Sequence, residues 1–157
     1  MGEASGKIAI KAPKEITDQL FPERRRLPWD AVIKLAEFAG IGPLTKLSVE
    51  LECRDGQEFG LEGDTETIGD FTVITPFGTE WMDICEALAK TGGAEVYGAI
   101  FSEYQTNYYF ARTEETIYFE KVDWEISKNT DRVEEIVKNW KAIIPRELQA
   151  RLFEFIN

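Results

Sequence analysis

Two spacings of apolar residues follow one another along the chain and predict its helices and strands. Apolar side chains three and four places apart are typical of amphipathic helices, and they occur in residues 29–40, 79–93, 131–144 and 146–157. Apolar side chains at every second place, or in short runs, are typical of strands, and they occur in residues 7–11, 47–53, 57–62, 71–76, 94–101, 107–113 and 116–126. Residues 63–70, GDTETIGD, are polar and are expected to form a loop. Asn129 or Thr130 is expected to cap the helix that follows it.

The order of these elements predicts the fold class. Strands follow strands instead of alternating with helices, which favours an α+β fold over a doubly wound parallel sheet. We therefore expect one domain over residues 1–157. It would contain a mainly antiparallel sheet of about five to seven strands, with about three or four helices packed on one face. Residues 1–6 are small and polar and are expected to be frayed.

The charge of the chain is concentrated in its middle. The net charge is −11, and residues 44–128 carry −12 from eighteen Asp/Glu and six Lys/Arg. The flanks are nearly neutral, at +1 for residues 1–43 and 0 for residues 129–157. A strongly acidic section repels nucleic acid and anionic lipid and attracts basic partners, although in many acidic proteins such charge serves solubility alone. We therefore expect a basic protein as the partner, and neither nucleic acid nor a membrane.

Three absences from the sequence narrow the possible chemistry. The chain has no histidine, which excludes Ser-His-Asp and Cys-His nucleophiles, His-ligated zinc and imidazole acid–base catalysis. Cys53 and Cys85 lack Cys-x-x-Cys spacing, fall on the apolar sides of predicted elements and are interpreted as reduced core thiols. No apolar run approaches the ~20 residues that span a bilayer, and the N-terminus has no apolar signal segment. We expect a cytoplasmic protein that is not an enzyme and uses no metal or cofactor.

The most unusual stretch is the aromatic and acidic segment of residues 104–124, YQTNYYFARTEETIYFEKVDW. Strand alternation places Tyr108 and Phe110 on one face and Tyr109 on the other, and the apolar side of the next strand changes at Glu120 and Lys121. A β-bulge or a strand end at that point would account for the change. The aromatic side chains are either cross-strand pairs that stabilise a sheet or the anchors of a recognition surface.

A recognition surface would combine aromatic anchors with carboxylates that pair with Lys or Arg of a partner. The candidate partner-binding residues are the tyrosines and acids of this region: Glu95, Tyr97, Glu103, Tyr104, Tyr108, Tyr109, Glu114, Glu115, Glu120 and Asp123. In size, in its acidic middle section and in this aromatic segment, the chain resembles small, acidic, cytosolic α+β proteins that neutralise a basic protein, including immunity proteins against bacterial toxins. The resemblance implies an inhibitor whose acidic sheet face occludes a cationic active site.

Three other functions fit the same sequence. A small-ligand-binding protein or a carboxylate-dependent enzyme would use a pocket on the concave side of the sheet. A nucleic-acid mimic would arrange its carboxylates in ordered rows like phosphates. A structural adaptor would take its place in a larger assembly.

Overall fold

One six-stranded antiparallel sheet organises the molecule. The computed structural model describes residues 4–19, 34–35, 37–40, 63–76, 81–90, 93–103, 106–154 and 156. Its strands are β1 (Ala4–Lys11), β2 (Gly63–Ile68), β3 (Phe71–Pro76), β4 (Glu95–Ser102), β5 (Asn107–Arg112) and β6 (Ile117–Val122), in the sheet order β2-β3-β1-β4-β5-β6. The helices are α1 (Lys14–Thr17), α2 (Trp81–Lys90), α3 (Trp124–Ser127), α4 (Thr130–Ile143) and α5 (Arg146–Leu152). The predicted α+β class and the mainly antiparallel sheet are confirmed.

Helices cover both faces of this sheet. Ile8 of β1 and Leu88 of α2 lie in one buried apolar cluster. The neighbouring Ala9 points to the opposite face and lies in a second cluster with Trp140 of α4 and Leu148 of α5. Central strands with apolar side chains on both sides need cover on both sides. This arrangement corrects the expectation that the helices pack on one face only.

The edge strand β2 lies where a loop was expected. Gly63–Ile68 pairs with β3, from Gly63 opposite Pro76 to Ile68 opposite Phe71. The two-residue turn of Gly69 and Asp70 joins the two strands, and Gly69 has φ 57°, a value that tight hairpin turns require. Most side chains of β2 are exposed or half-buried. Backbone pairing, and not an apolar pattern, therefore defines this strand.

The ends of two predicted strands also differ in the structure. β1 begins at Ala4, which lies opposite Ser102 of β4, so residues 4–6 of the segment expected to be frayed are paired, and residues 1–3 lie outside the described residues. β6 ends at Val122 after a register without interruption. The predicted strand does not continue to residue 126, because the Asp123 carboxylate accepts a hydrogen bond from the amide of Ile126 (2.9 Å) and starts α3. The strand therefore runs past Glu120 and Lys121 with neither a bulge nor a strand end at that point. The apolar side changes because β6 contacts the core on both faces, through Phe119 on one and Val122 on the other.

Several predictions concern residues beyond those described. The strands predicted at 47–53 and 57–62, together with Cys53, lie outside the described residues. Within the helix predicted at 29–40, Lys34, Leu35, Glu37 and Phe38 are helical. Cys85 is a reduced cysteine buried in the core. None of the helices in the described part of the chain has the length and apolarity to cross a membrane.

Helix α4 is fixed over β5 at its beginning and at its middle. The Asn129 side chain caps the helix by accepting a hydrogen bond from the amide of Arg132 (3.1 Å), as the sequence predicted. Trp140 is fully buried, and its indole Nε1 donates a hydrogen bond to the carbonyl oxygen of Phe110 (3.0 Å). The Tyr118 hydroxyl donates to the carbonyl oxygen of Ile136 (3.0 Å), which ties β6 to the same helix.

Candidate functional site

Strand β6 has one free edge within the described residues. It pairs with β5, and no other described strand lies beside it. The amide of Thr113 donates a hydrogen bond to the carbonyl oxygen of Thr116 (2.9 Å) at the base of the hairpin. Because hydrogen-bonded and non-bonded pairs alternate in antiparallel strands, the backbone groups of Ile117, Phe119 and Lys121 point away from β5. These groups are available to a further strand.

Two exposed apolar side chains lie at the two ends of this strand. In the part of the chain that the structure describes, the exposed large hydrophobic residues are Phe38, Ile117 and Trp124. Ile117, at the start of β6, is 57% exposed, and Trp124, just after its end, is 53% exposed. A six-residue strand spans roughly 17–20 Å. The two side chains therefore mark both ends of one extended edge.

Carboxylates outnumber cations along the same segment. Residues 114–125 contain five Asp/Glu and one Lys. Glu114 and Glu115 are exposed in the β5–β6 turn and have no ion-pair partner among the described residues. The Thr113 hydroxyl oxygen holds this turn by accepting hydrogen bonds from the amides of Glu115 (3.2 Å) and Thr116 (2.9 Å). We call Glu114, Glu115, Ile117, Lys121 and Trp124, all exposed, the β6 edge surface.

Two further acids of this segment have structural partners. Glu120 forms an ion pair with Arg132 (3.4 Å) across to α4, and Asp123 caps α3. Burial, followed by the nearby charge of Glu120, raises the pKa of Tyr118 to about 12, so this phenol stays protonated near neutral pH. Glu120 and Asp123 are therefore engaged in contacts within the protein, while Glu114 and Glu115 face solvent.

The Trp124 ring has a cation beside it. Lys128 Nζ lies 5.0 Å from the centre of the ring, within the range of a cation–π contact. The same ammonium group lies 3.6 Å from the Glu125 carboxylate, and both side chains are largely exposed. Such an exposed pair contributes little to stability. A partner that covers Trp124 therefore displaces only weak contacts.

The ten residues predicted to bind a partner do not form one face. Tyr97, Tyr108 and Tyr109 are buried between the sheet and its helices. Tyr104 lies outside the described residues. The exposed Glu103 lies beyond the end of β4, at the opposite end of the sheet from Glu114 and Glu115.

The predicted Glu95 is engaged with its neighbours. Its carboxylate accepts a hydrogen bond from the Tyr97 hydroxyl (2.6 Å) and lies 3.9 Å from Lys11 Nζ. Burial and the adjacent Glu95 raise the pKa of Tyr97 well above its ordinary value, and the phenol donates to the carboxylate. Of the ten predicted residues, four lie within β6 or next to its ends: Glu114, Glu115, Glu120 and Asp123.

Ile117 and Trp124 are missing from the predicted set. Their place in the pattern of a strand gave no sign of exposure, because alternation identifies two faces but not the edge position of a strand. The change of apolar side at Glu120 and Lys121 gave no sign of an edge either, because β6 contacts the core on both faces, through Phe119 on one and Val122 on the other.

Neither a metal site in the described residues nor a comparison with known proteins indicates a function. Among the described residues, no group of three or more His, Cys, Asp or Glu side chains is placed to hold a metal ion. No protein-family model matches the chain, and no curated protein or solved structure matches it. The candidate site therefore rests on its own geometry.

Proposed function

We propose that this chain is a non-enzymatic protein-binding domain whose contact region is the β6 edge surface. In its most concrete form it is a cytoplasmic inhibitor or immunity protein that neutralises a basic toxin or enzyme by occlusion. One observation carries the proposal: Ile117 and Trp124, two of the three exposed large hydrophobic side chains among the described residues, flank a free strand edge. Residues 114–125, which include both side chains, contain five Asp/Glu and one Lys.

In the proposed contact, apolar and acidic groups have different roles. An exposed Trp supplies large contact area at low entropic cost, and Trp is enriched among the residues that dominate binding energy. Glu114 and Glu115 have no cation to neutralise them in the described chain, so they attract a basic partner and accelerate its association. The outward backbone groups of β6 offer an extended segment of that partner additional hydrogen bonds.

Affinity capture with matched variants tests this proposal. The immobilised chain is exposed to a lysate of its native source at low and at high salt, and retained proteins are identified by mass spectrometry. We expect one basic protein to be retained at low salt, and less of it at high salt. The comparison includes Trp124→Ala, the double variant Glu114→Lys/Glu115→Lys, and Glu147→Lys as the control.

The control is a charge reversal at the other side of the molecule. Glu147 is exposed in the first turn of α5, beside Gly69 of the β2–β3 turn at the opposite edge of the sheet. Loss of the retained protein with both β6 variants, but not with Glu147→Lys, supports the proposal. Equal retention by all four proteins, or equal loss with Glu147→Lys, contradicts it.

A further inference from the structure

An open groove lies on the face of the sheet that α4 covers, and none of its lining residues belongs to the β6 edge surface. Its volume is about 620 Å³, and it runs between the end of β4, the start of β5 and one side of α4. Its apolar lining comes from five side chains: Phe101, Tyr109, Val133, Val137 and Ile156. Small-molecule sites are typically concave and apolar, with a few placed polar groups, and occupy roughly 300–1,000 Å³. The groove has the size and lining of such a site.

The polar group of interest in this groove is the Tyr109 hydroxyl. Tyr109 is 5% exposed, and its ring packs edge-on against Phe101 and Trp140, with centroids 5.8 Å and 5.6 Å away. Its hydroxyl has no hydrogen-bond partner among the described residues. By contrast, the hydroxyls of Tyr97 and Tyr118 both donate to protein oxygens.

A hydroxyl without a protein partner is available to other molecules. Buried tyrosine hydroxyls usually have a hydrogen-bond partner, and in an open groove bound water or a ligand oxygen can take that place. Burial raises the pKa of Tyr109, which keeps the phenol protonated and able to donate. A ligand oxygen in the groove would satisfy this donor.

The rim of the groove is cationic in an otherwise acidic molecule. Lys138 and Lys141 project from α4 into the lining, together with one carboxylate, Glu134. Lys138 has no ion-pair partner in the described part of the chain. Lys141 Nζ lies 5.2 Å from the centre of the Phe153 ring, where a cation–π contact leaves it able to pair with an anion.

We propose that this groove binds a small amphipathic carboxylate. The apolar part of the ligand lies on Phe101, Val133 and Val137, and its carboxylate pairs with the ammonium groups of Lys138 and Lys141. The Tyr109 hydroxyl donates a hydrogen bond to a carboxylate oxygen. The groove shares no lining residue with the β6 edge surface, and this inference does not depend on the proposed partner.

Calorimetric titration of the full chain tests the site with three probes that share one tail. Decanoate carries the proposed negative head, decanol a neutral head and decylammonium a positive head. The two ions are used below their micelle concentrations and decanol below its solubility limit. We expect saturable one-to-one binding of decanoate, with at least fivefold weaker binding of the other two. Absence of saturable decanoate binding, or equal affinity for decanol, overturns the proposal.

Three variants locate the binding. Lys138→Gln/Lys141→Gln and Tyr109→Phe are each expected to weaken decanoate binding roughly fivefold to thirtyfold. Lys90→Gln removes a cation from α2 on the opposite face of the sheet and is expected to leave binding unchanged. Tyr109→Phe is also expected to keep or raise the melting temperature of the free protein, since its hydroxyl has no partner to lose. Unchanged decanoate affinity in both groove variants overturns the proposal.

Discussion

At the scale of single residues, close packing in the middle of the sheet leaves little room for larger side chains. Gly98 of β4 lies opposite Ile8 on one side and Phe110 on the other. A Cβ built at Gly98 would come within 2.6 Å of the carbonyl oxygen of Lys7 and 2.9 Å of Phe110 Cζ. The Phe110 ring therefore occupies the space that any larger residue at position 98 would need.

The first prediction follows from this crowding. Gly98→Ala is expected to destabilise the fold by about 1–3 kcal/mol, the usual cost of overpacking. Gly93→Ala is the matched control, because among the described residues a Cβ there would meet only the carbonyl group of Ala39, with its oxygen 3.4 Å away. Urea unfolding of both variants measures the difference. Equal stability of the two variants would contradict this account of the β4 packing.

The second prediction at this scale concerns alkaline pH. Burial first, and then Glu120, raises the pKa of Tyr118 from 10.0 to about 12. The unfolded chain releases this proton near pH 10 while the folded chain holds it, so the stabilising effect is complete below pH 10. It is lost as the pH rises through about 12.

Urea unfolding between pH 9 and pH 12 checks this titration. Tyr118→Phe is expected to lower stability at pH 7 by about 1 kcal/mol through loss of the hydrogen bond to Ile136. Its stability should then fall less steeply than that of the wild type between pH 10 and 12, because the titrating group is gone. Parallel curves for the two proteins would show that Tyr118 does not titrate in this way.

At the scale of elements, apolar periodicity predicted those parts of the fold that the core determines. Helix α4 and strands β4 and β5 place large apolar side chains in the core, and their spacing showed both their type and their position. Strand β2 lies at an edge and carries GDTETI, so its pairing with β3 left no apolar pattern to read. α3 depends on one cap, at Asp123, which overrides the strand-like residues that follow it.

The candidate site was harder to predict than the fold, because local apolar spacing does not show which strand lies at the edge of a sheet. The sequence placed Glu114, Glu115 and Glu120 in an acidic hairpin, and that hairpin does border the candidate site. It could not separate buried Tyr109 from exposed Trp124, because both are aromatic residues in strand-like sequence. Which strand is central and which is an edge is set by long-range pairing, and local alternation carries no information about it.

The cap of α4 gives the third prediction. Asn129→Ala is expected to destabilise the protein by about 1 kcal/mol, since it removes the acceptor for the Arg132 amide. Asn139→Ala on the same helix is the control, because Asn139 is exposed and Ala favours a helix interior. Thermal and urea unfolding compare the two. A larger loss of stability with Asn139→Ala than with Asn129→Ala would contradict the proposed capping role.

At the scale of the whole molecule, two surfaces of opposite character lie on different parts of one fold. The β6 edge surface is acidic and apolar, whereas the groove beside α4 has two lysines and one carboxylate at its rim. The net charge of −11 favours basic over acidic partners in general, but it does not locate a contact. The position of a contact is indicated by exposed apolar side chains together with outward-pointing backbone groups. Among the described residues, β6 and its ends have both.

Residue-resolved hydrogen exchange tests that proposal most directly, in the free chain and in complex with the basic protein obtained by affinity capture. The outward-pointing amides of Ile117, Phe119 and Lys121 are expected to exchange rapidly in the free chain and to become strongly protected in the complex. Amides of β2, at the opposite edge of the sheet, should exchange at the same rate in both states. Unchanged exchange along β6 in the complex, or new protection confined to β2, would contradict the account.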